Sequence, residues 1–346
     1  MTAKGIYFYG IVPNFYGTTQ FQSLENSGVS AITYQNISAI VSDSECEGLE
    51  NLDRESLGQL LVHHQKTIEE LQAKGFNMII PMRLGTIFSS KEEISQVLAN
   101  GHAVIIDTLK KIEYLTEVDL VVTWSDFSKV LKDIAELPEV RELKQEMLQN
   151  TDIIKKVDQY KMGMFIQGIL TEKNKSVELK ILDALSPFGH DIRMHEVMND
   201  QMITNSAFLL NRNKQEKFEQ AIGVLDEAYK GALNFKIVGP LPCYSFYTLE
   251  VNALNPDKVV EAKEDLDLGT ETTESEIKKA YLEKAKLFHP DANLKNGDLE
   301  SFNRINKAYH TLLDYSAAVR QSSKKDYFSL AKEYVNENLI LVKVKE

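Results

Sequence analysis

The sequence predicts an α+β fold class: an N-terminal α+β domain, a second α+β domain, and a small helical domain inserted before a C-terminal strand. Three observations carry this expectation. Short aromatic and β-branched runs alternate with helical stretches as far as residue 150. Residues 151–252 then read as helix, strand pair, helix, strand, and two amphipathic helices flank a His-Pro-Asp triplet at 289–291. A chain of 346 residues has room for two or three domains at about 150 residues each.

Taken in order, Ile6–Val12 is an aromatic and β-branched run of buried-strand type, punctuated by Pro13-Asn14 and Gly17. Val29–Tyr34 and Ile37–Val41 predict two strands joined at Gln35-Asn36. Between Arg54 and Lys74, the residues Leu57, Leu60, Leu61, His64, Ile68 and Leu71 fall on one side of a helix that Gly75 stops. Met78–Gly85 is strand-like, with Pro81 confined to an edge, end or bulge because it has no amide proton to give a ladder. Ser89 or Ser90 caps a helix running towards Tyr114, with a break or kink at Gly101. Asp119–Trp124 is the next strand, and one helical stretch spans Asp126 to Gln149, closing the first domain at 150.

In the second domain Phe165–Leu170 reads as a strand and Ser176–Leu185 as a helix. Asp191–Val197 and Ala207–Leu210 read as a strand pair, Gln215–Lys230 as a helix, and Tyr244–Val251 as the closing strand. That order predicts a ferredoxin-like sandwich over 151–252. The helical domain spans 262–320. In 321–346 a helical piece (Tyr327–Tyr334) precedes a strand at Asn338–Lys345, which is expected to return to the second domain's sheet, since a lone strand is unstable.

Composition narrows the function classes. Hydrophobic residues make up 43% and charged residues 26%, as in an ordinary globular chain, and no apolar stretch is long enough to span a membrane. The N-terminus lacks the basic and apolar regions of a signal peptide. A net charge of −12 argues against a nucleic-acid partner, which needs a basic face. Cys46 and Cys243 are the two cysteines, so neither a disulfide framework nor a thiolate metal site is expected, and a reducing cytoplasm fits.

The sharpest motif is the helix–HPD–helix segment. Ile277, Ala280, Tyr281, Ala285 and Phe288 form one stripe; Phe302, Ile305, Ala308, Tyr309 and Leu312 form the other. Two such helices pack as an antiparallel hairpin. Pro290 ends the first helix and displays His289 and Asp291 at a loop tip. The segment resembles a J domain, the module that engages DnaK-type chaperones. The resemblance makes His289, Pro290 and Asp291, with Lys278, Lys279 and Lys286 on the helix before them, the expected chaperone-binding residues. It also has departures: Leu282, Glu283 and Leu287 stand where basic residues are usual, Lys284 occupies a usual core position, and the preceding loop is about two residues short. A hairpin kept for packing, with an incidental HPD, is the alternative reading.

Residues 1–251 resemble the GvpL/GvpF family of gas vesicle proteins. The resemblance rests on Gly5–Pro13, Ile37–Asp43, His63-His64-Gln65, Ile79–Phe88 followed by Lys91-Glu-Glu-Ile, Asp119–Trp124 and Gly239–Phe246. It implies an α+β N-terminal domain, a modified ferredoxin-like second domain and a role in assembling a hollow protein shell. The implied partners are the small hydrophobic shell protein, other gas vesicle accessory proteins and a DnaK-type chaperone; the implied location is the cytoplasm and the gas vesicle.

Other conspicuous residues have plain structural readings. Adjacent His63 and His64 point about 100° apart on a helix and rarely share an ion, so His64 is expected as a hydrogen-bonded face residue. Arg83, in an apolar strand, is expected to pair with a carboxylate, or else to bind an anion. Cys243 is expected to pack rather than react. With no nucleophile–base pattern, phosphate loop or metal-spaced set, neither an enzyme nor a cofactor is expected. An assembly factor, a general J-domain co-chaperone and an enzyme of unknown chemistry are the competing classes. The first two merge if the core captures shell protein and the HPD loop recruits the chaperone.

Overall fold

The computed structural model describes residues 5–14, 28–44, 53–149, 156–289, 298–323, 327–331, 335 and 339–345. In chain order its elements are strands β1 (Gly5–Pro13), β2 (Val29–Tyr34) and β3 (Ile37–Ser44), then helix α1 (Arg54–Ala73), β4 (Ile80–Pro81), β5 (Ile87–Phe88) and α2 (Lys91–Ile112). Next come β6 (Leu115–Trp124), α3 (Phe127–Ala135), α4 (Pro138–Gln149), α5 (Lys156–Leu185), β7 (Gly189–Met194), β8 (Met202–Asn211), α6 (Gln215–Tyr229) and β9 (Leu233–Leu241). The last group is β10 (Thr248–Ala253), α7 (Pro256–Asp265), β11 (Glu271–Thr273), α8 (Glu274–Phe288), α9 (Leu299–Ser323), β12 (Tyr327–Ser329) and β13 (Ile340–Lys345). They form two compact units, residues 1–111 with 247–346, and residues 112–246.

In the first unit β1 is central because its residues from Tyr7 onward are buried, as the uninterrupted apolar run requires. The antiparallel sheet runs β2-β3-β1-β4, with β5 also on β1. The hairpin turns at Gln35, whose φ is +50°, and Pro81 lies on the outer strand of this order, where its missing N–H is tolerated. Helix α1 starts at Asp53, whose side chain accepts the Ser56 amide, and buries His64, Thr67, Ile68 and Leu71. Leu57 and Leu61, expected on that face, are exposed. Nδ1 of buried His64 lies 2.9 Å from the Tyr7 hydroxyl, and the Tyr9 hydroxyl meets His63 Nε2 at 2.9 Å and Ser42 Oγ at 3.0 Å. Burial, then the charge of His63, pushes the His64 pKa down to about 4, so the ring is a neutral member of the core, as its place on the inner face implied.

Helix α2 runs through Gly101 without the expected break. Here glycine serves close approach: a Cβ would lie 2.7 Å from Val342 Cγ1 of β13. Strand β13 pairs antiparallel with β10, from Thr248↔Lys345 to Ala253↔Ile340. Leu249 of β10 bridges Met82, and its carbonyl accepts the Arg83 amide at 3.0 Å. Arg83 itself is exposed, so the burial cost that called for a carboxylate partner does not arise. The expectation that the C-terminal strand joins the second domain's sheet is thus corrected: its partner β10 lies in the first unit, and Tyr244–Val251 is not one strand. The helical piece expected from Tyr327 is instead strand β12, paired with β11.

The second unit is a βαββαβ sheet of order β7-β8-β6-β9 with antiparallel neighbours, the ferredoxin-like pattern. Its first strand is β6, which pairs with both β8 and β9, so the boundary expected at 150 falls near 112. Val118, Leu120, Val122 and Trp124 alternate into a core shared with Phe208, Leu210 and Phe218. Phe165–Leu170, expected as a strand, lies inside α5; Ile166, Ile169, Leu170, Val177 and Ile181 pack at helical spacing, which a short apolar run does not reveal by itself. The stretch from Asp126 to Gln149 is two helices, because Pro138 starts a new one.

On the opposite face of β6, Glu117 is 1% exposed. Its carboxyl accepts the Ser245 amide and the Ser245 hydroxyl, both at 2.8 Å, and Ser245 Oγ lies 3.1 Å from His195 Nε2. Burial raises the pKa of Glu117 above the ordinary carboxylate range, against these hydrogen bonds, and neighbouring Asp119 is raised as well. The nearby thiol of Cys243 is buried and its pKa is pushed up to about 12, chiefly by desolvation, which gives it the packing role expected. Cys46 and Gly17 lie outside the described residues.

The helical hairpin as candidate functional site

The site is built on α7, α8 and α9. Asn255 caps α7 through the amides of Asp257 and Lys258, with Pro256 in its first turn. Thr273 and Glu276 form a reciprocal capping box at the start of α8: the Thr273 hydroxyl accepts the Glu276 amide and the Glu276 carboxylate accepts the Thr273 amide. Asp298 caps α9 by accepting the amides of Glu300 and Ser301. The three helices close over Val259, Ala262, Leu266, Ile277, Ile305, Ala308 and Leu312. Ala280, Tyr281, Phe288 and Tyr309 pack against that core, so the two sequence stripes do face each other. The Tyr281 and Tyr309 rings stack with centroids 4.1 Å apart, and Tyr281 donates to Asn306 Oδ1 at 2.7 Å.

The same core continues into the segment after the hairpin. Tyr315 and Ala318 of α9 join Phe328, Leu330, Val335, Leu339 and Leu341. Gln321 on α9 donates to the Val342 carbonyl at 2.7 Å and accepts its amide at 3.1 Å, so one side chain satisfies both backbone groups of that residue on the edge of β13 that faces away from β10. Lys343 pairs with Asp314.

Of the expected chaperone-binding residues, Lys278, Lys279 and Lys286 are exposed on α8. His289 closes the helix, its amide donating to the Ala285 carbonyl at 2.9 Å, and its ring meets Phe302 of α9 edge-on at 5.0 Å. Pro290 and Asp291 lie outside the described residues. Lys284, at a position that is usually core, turns its ammonium to the Asp265 carbonyl at 2.7 Å and the Asp267 carboxylate at 2.6 Å, tying α8 to the end of α7. Asp265 contributes only its backbone carbonyl, its carboxylate pairing with Arg304; acidic Asp267 was the signal in the sequence for that role. Gln321 had none, because its partner is set by where β13 lies. Among the described residues no group of histidine, cysteine and carboxylate side chains is placed to hold a metal ion, and no helix is long and apolar enough to cross a membrane.

The family model for gas vesicle synthesis protein GvpL/GvpF matches residues 5–248. The chain belongs to the GvpL/GvpF family. A DnaJ domain model matches residues 264–322, so this member also carries the J domain that its hairpin resembles. Gas vesicle protein F of Dolichospermum flosaquae is 25% identical over 252 residues, which cover 71% of this chain and 98% of the relative. Gas vesicle protein F of Haloferax mediterranei is 20% identical, over 72% of this chain and 97% of the relative. Chaperone protein DnaJ 1 of Aquifex aeolicus is 43% identical over 51 residues, 15% of this chain and 14% of that protein. The crystal structure of GvpF from Microcystis aeruginosa superposes with a TM-score of 0.56 at 20% identity, covering 70% of this chain and 98% of that one. This likeness shows the fold. The GvpL/GvpF family is one of gas vesicle synthesis, and the DnaJ domain is a co-chaperone module with no catalytic role of its own.

Proposed function

We propose that this GvpL/GvpF protein captures the small hydrophobic gas vesicle shell protein on its GvpF-like part and recruits a DnaK-type chaperone through α8 and residues 289–291. It thereby keeps the shell protein assembly-competent while the vesicle is nucleated or extended. The observation that carries this reading is the presence in one chain of a GvpL/GvpF match over residues 5–248 and a J domain whose Lys278, Lys279 and Lys286 face solvent. Shell protein would bind by strand addition or helix docking, with other gas vesicle accessory proteins as further partners, in the cytoplasm and at the vesicle.

The test is co-purification of shell protein with the full chain and with His289→Gln, alongside stimulation of the chaperone's ATPase. A truncation at residue 251 is unsuitable because it removes β13 from β10. Both forms should retain shell protein and only the parent should stimulate the ATPase. Stimulation unchanged in His289→Gln would refute the recruiting role. Failure of either form to retain shell protein, with stimulation intact, would favour a general co-chaperone.

A further inference from the structure

In the second unit, helix α5 is apolar on two opposite sides. Ile166, Ile169, Leu170 and Ile181 turn into the core of the ferredoxin-like sheet. At about 100° per residue, Val157, Tyr160 and Met164 lie about 120–180° away from Ile166, and they are 61%, 70% and 60% exposed. A helix that is apolar all round is normally covered on both sides. The row from Tyr160 and Met164 continues at helical spacing through Gln167, Thr171 and Asn174, and these three line a groove of about 470 Å³. The groove is also lined by Val197 and Met198, which are 48% and 82% exposed. Together these five apolar residues leave on the order of 600 Å² open to solvent. That is the upper end of the largest apolar patch on a typical monomer, and most of the ~800 Å² that each partner of a stable complex buries.

This surface is complementary to itself. Its ridge, Tyr160 and Met164, lies about 14 Å along the helix from the middle of its groove at Thr171. A second α5, turned end for end about a two-fold axis near Gln167, lays each ridge over the other copy's groove, with Tyr160 opposite Asn174. The same rotation keeps each flank of the helix on its own side. Lys161 and Glu172 are both exposed on the flank away from the groove, so Lys161 comes opposite Glu172 of the second copy, and the pair forms twice. A parallel pairing would instead set ridge against ridge and Lys161 against Lys161. We infer that this face of α5 is the contact surface of a homodimer, in which two copies pair antiparallel about Gln167. Tyr160 and Met164 of each fill the groove at Thr171, Val197 and Met198 of the other. The contact uses no residue of the helical hairpin and requires neither shell protein nor chaperone.

The experiment is sedimentation velocity of the full-length chain from about 1 to about 100 μM, where a micromolar homodimer shows both of its masses. The variants are Met164→Lys/Met198→Lys, Lys161→Glu, Glu172→Lys and the double reversal Lys161→Glu/Glu172→Lys. All of these positions are exposed, and circular dichroism checks that each variant is folded. The parent should dimerise, and the two lysines placed in the apolar contact should weaken the dimer by about 30-fold or more. Each single charge reversal should weaken it by about 3–10-fold at low salt. The double reversal should recover the parent's affinity, because it rebuilds both ion pairs with their signs exchanged. A parent that stays monomeric throughout, or a dimer indifferent to Met164→Lys/Met198→Lys, overturns the inference. A double reversal no better than the single ones overturns the antiparallel register. A monomeric parent whose capture of shell protein is lost in Met164→Lys/Met198→Lys assigns the face to the shell protein and overturns the dimer.

Discussion

Replacing Gly101 with alanine sets two effects against each other. In the interior of α2 the change gains about 1 kcal/mol of helix propensity. The added Cβ, however, would lie 2.7, 2.9 and 3.0 Å from Cγ1, Cβ and Cγ2 of Val342, where ordinary carbon contacts lie at about 3.5–4.0 Å. Val342 has little room to yield, since it faces Val251 across β10 on one side and is hydrogen-bonded by Gln321 on the other. Forcing an extra methyl into such packing costs about 1–3 kcal/mol, so steric cost exceeds propensity by about 1 kcal/mol. Gly58 of α1 supplies the control, because its Cβ would meet nothing within 4 Å. Gly58→Ala should raise the melting temperature of the first unit by about 2–4 °C and Gly101→Ala should lower it by a similar amount. The assay is thermal unfolding of the full chain with hydrogen exchange read at residues 340–345 and 299–323. A rise for Gly101→Ala equal to that for Gly58→Ala would show that β13 does not press on α2.

Removing residues 340–346 strips buried Ile340, Leu341 and Val342 from the first unit, a loss of about 5–9 kcal/mol at about 1.5–3 kcal/mol per side chain. Helix α9 should lose exchange protection while residues 112–246 keep theirs, and the reverse pattern would contradict the pairing of β13 with β10. Burial raises the Glu117 pKa above its unfolded value, so the stability it contributes is full below the unfolded carboxylate pKa and is lost as pH climbs towards the folded one. Between about pH 5 and pH 8 residues 112–246 should therefore weaken, whereas Glu117→Gln should flatten that profile; parallel profiles would assign the pH dependence elsewhere. Ser245 can still serve the amide, since its hydroxyl both donates and accepts.

Residue chemistry alone reached the elements whose order is written locally. The Tyr7–Val12 run, the hairpin at Gln35, the strand pair β7–β8 with helix α6 after it, and the facing stripes with Ile277 on α8 and Ile305, Ala308 and Leu312 on α9 were all legible, because side-chain period and turn residues constrain a segment wherever it sits. The family resemblances were legible for the same reason, resting on contiguous blocks such as Ile79–Phe88. The candidate site was half legible: the lysines of α8 and His289 could be read as a basic approach to a loop tip. The inward turn of Lys284 depends on where α7 ends, which sets the places of Asp265 and Asp267.

Tertiary structure decided which strands meet. Strand β6 looks like the end of the preceding domain, yet it pairs with β8 and β9, far downstream, and starts the ferredoxin-like sheet. Strand β13 could have closed either sheet; Gly101, Gln321 and the apolar surface of α9 made the first unit its place. Helical periodicity hid inside Phe165–Leu170 because six apolar-rich residues satisfy both periods. Backbone hydrogen bonding demands that every strand find a partner but names none, so the choice falls to packing between residues distant in the chain.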